Sequence, residues 1–88
     1  MPTVLRFGPY RFFFYAGDRD EPPHVHVEAG GSQAKFWLQP VRIERARGFS
    51  PAETNRIQKF IELHREELLE NWQRAERGDD LHKIEPLV

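Results

Sequence analysis

Apolar and polar residues alternate in short blocks through the first half of the chain and recur at helical spacing through the second. Val4 to Phe7, Tyr10 to Ala16, His24 to Ala29 and Ala34 to Leu38 are rich in Val, Phe, Tyr and Trp and lie between turn formers, which predicts strands. Gly8-Pro9 separates the first two, and Gly17 to Pro23 makes a longer, polar connection. Gly30-Gly31 predicts a two-residue hairpin turn of the primed type, in which both central residues take positive φ. Residues 39–49 read two ways. Val41 and Ile43 alternate with Arg42 and Glu44 as in an edge strand, and a short helical turn fits nearly as well.

The helix signal is the clearest in the chain. Ser50-Pro51-Ala52-Glu53 is a capping box with Pro at the first helical position, where its missing N–H costs nothing. Ile57, Ile61, His64, Leu68, Trp72 and Ala75 then form one apolar stripe flanked by Phe60 and Leu69, and Gly78 supplies a C-terminal cap. A continuous helix over this span is about 40 Å long. Strands of ordinary length reach only about 17–20 Å. Part of the stripe, with Leu68 and Trp72, is therefore expected to overhang the sheet and meet a second surface: the C-terminal tail, a second copy of the chain or a small protein partner.

These elements predict an α+β fold: a small antiparallel sheet of about four strands with one long C-terminal helix packed on one face. Residues 1–78 form a single domain, and residues 79–88 are a loose or docking tail. At 88 residues the core is small, so folding leans on large aromatic side chains, with seven Phe, two Trp and two Tyr. The absence of Cys excludes disulfides and thiolate metal sites and favours a cytoplasmic protein. No charged, apolar leader opens the chain, and no run approaches the roughly 20 apolar residues of a membrane span.

Hairpin register sorts the side chains onto two faces. Around Gly30-Gly31, Glu28 faces Gln33, Val27 faces Ala34, His26 faces Lys35, Val25 faces Phe36 and His24 faces Trp37. Around Gly8-Pro9, Phe7 faces Tyr10, Arg6 faces Arg11 and Leu5 faces Phe12. The Val/Phe side is the expected core. The other side carries His24, His26, Glu28, Lys35 and Trp37, joined by Arg6, Arg11, Phe13 and Tyr15 if the hairpins share a sheet. Net charge is −1, so a cationic patch here would be local rather than a property of the whole chain. Two directly opposed arginines are destabilising unless an anion or carboxylate sits between them.

Four chemistries fit that face. A plain solvated sheet face needs no function, although Trp37, Phe13 and Tyr15 are then poorly explained. The second is action on RNA, or binding to it. Imidazole titrates near 6.5 in water, so His24 and His26 are candidate acid and base for a metal-independent ribonuclease. Arg6, Arg11 and Lys35 would hold phosphate, and Tyr15 or Trp37 would stack a base. The third is a divalent-metal site on His24 and His26. Their Cα atoms would lie roughly 6.5–7 Å apart, Glu28 is too far along the strand to join them, and nearby cations disfavour a metal. The fourth is a non-catalytic interaction or homodimeric module. No cofactor is called for. His64, within the apolar stripe, reads as a core histidine on the face away from His24, and His82 reads as a solvent residue.

The combination of Met1-Pro2-Thr3-Val4, Tyr10-Arg11-Phe12-Phe13-Phe14-Tyr15, Glu21-Pro22-Pro23-His24-Val25-His26-Val27, Ala34-Lys35-Phe36-Trp37-Leu38, Arg47-Gly48-Phe49-Ser50 and Leu68-Leu69-Glu70-Asn71-Trp72 resembles the small bacterial domain-of-unknown-function family numbered 4160. The resemblance covers residues 1 to about 75. It implies a component of a toxin–antitoxin-type module with a small protein partner, and it raises the RNA-directed reading. It supplies no family site to transfer, and the tail after Arg77 departs from the pattern.

Overall fold

Alternation and turn chemistry produce five strands followed by two helices in the computed structural model, which describes residues 3–15, 20–82 and 84. The strands are β1 (Thr3–Phe7), β2 (Tyr10–Phe13), β3 (His24–Ala29), β4 (Ser32–Leu38) and β5 (Val41–Arg47), and the helices are α1 (Pro51–Leu63) and α2 (Arg65–Arg77). The fold is α+β, with one antiparallel sheet in the order β1-β2-β3-β4-β5. The expectation of about four strands is corrected to five, because residues 41–47 resolve as an edge strand after a turn with a cis Gln39–Pro40 peptide. The second strand stops at Phe13 rather than running on, and residues 16–19, 83 and 85–88 lie outside the described residues.

Both expected hairpin registers are present. Gly30 and Gly31 adopt φ of 53° and 87°, and Glu28 then pairs with Gln33, His26 with Lys35 and His24 with Trp37. Phe7 pairs with Tyr10 and Arg6 with Arg11 across the first turn. The two hairpins join through β2 and β3, which sets Arg11 opposite Glu28 and Phe13 opposite His26. At the far end of β5, Gly48 sits at φ +93°, and a Cβ there would fall 2.3 Å from the Ser32 hydroxyl oxygen. Only glycine fits both the backbone and the space at this exit toward α1.

The core lies between the Val/Phe face and the helices: Leu5, Phe12, Val25, Val27, Phe36 and Leu38 meet Ile57, Ile61, Leu68 and Trp72. Ser50 caps α1 as expected, its hydroxyl accepting from the Glu53 N–H. The single long helix is corrected: it breaks at His64, where φ −108° and ψ 16° leave the helical region. The His64 N–H turns to the Ile61 carbonyl, and Arg65 Nε donates to the Leu38 carbonyl, pinning the bend to the end of β4.

Magnitudes explain the break. A disturbed backbone hydrogen bond costs about 1 kcal/mol, whereas burying a large apolar side chain gains about 1.5–3 kcal/mol. Bending lets Leu68 and Trp72 bury in this chain's own core, at 0% and 4% exposure. The overhanging partner surface expected from Leu68 and Trp72 is therefore absent. Beyond α2, Asn71 makes paired hydrogen bonds to the His82 backbone and Ile84 is buried, its N–H donating to the Val4 carbonyl.

Candidate nucleic-acid interface

The side of the sheet away from Val25 and Val27 is a ladder of cations and rings. One row runs Arg6, Arg11, Glu28, Gln33 and Arg47, the next Phe13, His26, Lys35 and Arg45, and the third His24, Trp37 and Arg42. Of the two opposed arginines, Arg11 has a carboxylate on its other side: its Nη1 lies 2.8 Å from Glu28 Oε1, while its Nε donates to Thr3 Oγ1. The Arg11 guanidinium also covers the Phe13 ring at 4.5 Å.

Arg45 and Arg47 escaped the sequence reading. Simple alternation back from Val41 would put Glu44 opposite Lys35 and send Arg45 to the core side. A bulge between Lys35 and Phe36 gives β5 one extra residue, so Lys35 faces Arg45 and Gln33 faces Arg47. The displaced Glu44 accepts a hydrogen bond from the Trp37 indole at 2.9 Å. Arg42, Arg45 and Arg47 are exposed. The only signal available in the sequence was the density of arginine between Arg42 and Arg47.

The two histidines occupy different surroundings. His24 is fully buried, with Nδ1 2.9 Å from the Pro22 carbonyl oxygen and its ring 4.8 Å from Trp72 and 5.6 Å from Trp37. It is Trp72 of α2, not His64, that reaches His24, and it packs against both His24 and Phe14. His26 stacks on Phe13 and meets Tyr15 edge-on at 4.4 Å. Lys35, largely buried, pairs with Glu21 and lies 4.7 Å from the Trp37 ring centre. Tyr15 is 40% exposed, and Arg6 is exposed at the rim.

A cleft of about 200 Å³ opens among Phe13, Tyr15, His26, Lys35, Arg45 and Arg47. Its walls are aromatic and its rim is cationic. A larger hollow of about 380 Å³ lies on the other side of Tyr15, against Trp72, Ala75 and Leu81. Glu76, Asp79 and Asp80 edge that hollow, so it repels anions. Among the described residues no three His, Cys, Asp or Glu side chains are grouped to hold a metal ion, and no helix is long and apolar enough to cross a membrane.

The model of a domain of unknown function, DUF4160, matches residues 10–73. The chain belongs to this family. The matched segment of this DUF4160 chain includes β2 through most of α2, and with them His26, Lys35, Arg45, Arg47 and the bend at His64. No curated protein and no solved structure matches the chain.

Proposed function

We propose that this protein binds single-stranded RNA through the Lys35/Arg45/Arg47 cleft, as a binding component rather than a ribonuclease. The observation that carries the reading is the cleft itself, where three cations frame the His26 and Tyr15 rings. Single strands are recognised by combining backbone cations with aromatic faces on which unpaired bases stack. The opening accommodates one base beside Tyr15 while Arg45 and Arg47 reach the flanking phosphates. Arg6 and Arg11 extend the cationic row along the strand.

Burial argues for binding over cleavage. Acid–base cleavage needs two titrating groups within reach of one phosphodiester. His26 borders the cleft, whereas His24 is sealed between Pro22, Trp37 and Trp72. Fluorescence anisotropy with a labelled eight-nucleotide uridine strand tests the proposal. Binding should weaken steeply with salt, with a log–log slope of about −0.7 per phosphate contact, and should be lost in Arg45→Ala/Arg47→Ala. Equal binding by that variant, or no binding at low salt, sinks it. For a place in a toxin–antitoxin-type module, overexpression should arrest growth and Arg45→Glu/Arg47→Glu should relieve the arrest. Absence of arrest removes that role and leaves RNA binding to the direct assay.

A further inference from the structure

The two edges of the sheet are finished differently. At β1 the chain covers its own edge, because Ile84 is buried there and gives its N–H to the Val4 carbonyl. At β5 the outer edge receives no such backbone bond among the described residues, and Arg42 through Arg47 are exposed. An open edge presents a row of backbone donors and acceptors, ready to pair with an added strand.

We infer that β5 accepts an extended acidic segment of a partner protein, added as a sixth strand, with Asp or Glu at alternate positions. Charge decides the occupant. The bulge puts Arg42, Arg45 and Arg47 on one side of β5, so alternate carboxylates on a neighbouring strand would meet guanidinium groups. Between them, Ile43 is 39% exposed and Ala46 is exposed, and both would be covered by apolar side chains at the intervening positions. A second copy of this chain fits poorly, since β5 against β5 would crowd arginines on adjacent strands. The inference goes beyond RNA binding and does not depend on it.

The probe is a synthetic seven-residue peptide alternating glutamate and valine. Two companions accompany it: one with lysine in place of glutamate, and one with glutamates kept but alternate backbone amides N-methylated. Binding is followed by calorimetry and by hydrogen exchange across residues 41–47. The acidic peptide should bind and slow exchange in β5, and the lysine peptide should not bind. N-methylation should weaken binding by about ten-fold or more, the equivalent of 1.4 kcal/mol, because it blocks the edge hydrogen bonds while leaving the charges. Arg45→Glu/Arg47→Glu, checked by circular dichroism to be folded, should exchange the preference toward the lysine peptide. Equal binding of the N-methylated peptide overturns strand addition, as does exchange protection located away from β5. So does no binding of the acidic peptide, or sedimentation of the protein alone as a dimer that protects β5.

Discussion

His24 and His26 stand two residues apart on one side of one strand, yet they belong to two regions with opposite characters. Around His24 the sheet is closed by Trp72 arriving from α2, by Trp37 across the hairpin and by the Pro22 carbonyl. Around His26 the neighbours are Phe13, Tyr15 and Lys35, and the space beyond them opens between Arg45 and Arg47. Identical chemistry at identical register thus becomes a packing element at one end and the wall of a cleft at the other. Strand period decides which face a side chain takes, and the helix decides whether that face meets water.

The closed end should fail first when it is opened. Trp72→Ala removes the ring that joins Phe14 to His24 and should cost about 3–5 kcal/mol in urea denaturation. A loss below about 1 kcal/mol would mean that Trp72 does not close this end. His24→Ala should cost about 2 kcal/mol, through lost packing and an unpaired Pro22 carbonyl. Its folded fraction should still bind the uridine strand with wild-type affinity. If that affinity collapses instead, His24 takes part in binding and the division between the two ends is wrong.

The open end should show the reverse profile. Arg45→Ala and Arg47→Ala should each weaken RNA binding by about five- to ten-fold, or about 1–1.4 kcal/mol. Each should lower the salt slope by about 0.7, with unfolding unchanged to within about 0.5 kcal/mol. A stability loss comparable to that of His24→Ala would make these arginines structural.

The smallest effect belongs to a tie outside both ends. The Tyr10 hydroxyl donates to Glu53 at 2.6 Å and fastens β2 to α1. That bond, with burial adding to it and Arg56 opposing, holds the phenol pKa above its ordinary value near 10. The phenol is thus neutral and donating below about pH 10. Its contribution is complete below the unfolded pKa and is lost as pH rises through the raised folded value. Tyr10→Phe should cost about 1 kcal/mol at neutral pH and flatten the alkaline fall in stability seen in denaturation at increasing pH, while RNA affinity stays constant.

Much of this architecture was legible residue by residue. Gly30-Gly31 and Gly8-Pro9 specified two hairpin registers, and alternation around them assigned Val25, Val27 and Phe36 to one side and His26, Lys35 and Trp37 to the other. Ser50-Pro51-Ala52-Glu53 specified where the helix begins. The break at His64 was hidden because Ile61, His64, Leu68 and Trp72 keep helical spacing straight across it. The bulge in β5 was hidden for a related reason. An inserted residue leaves no mark in a segment where Arg42, Glu44, Arg45 and Arg47 are all polar.

By itself, the sequence determined strand pairing, the two faces of the sheet and the start of the helical region, since each follows from local backbone preference and a period of two or 3.6. Only the tertiary structure decided that His24 is closed while His26 borders a cleft, that Leu68 and Trp72 serve the chain's own core, and that Arg45 and Arg47 join Lys35. Those outcomes depend on which distant element arrives and on whether burying its side chains outweighs a disturbed backbone hydrogen bond. No local pattern records that balance.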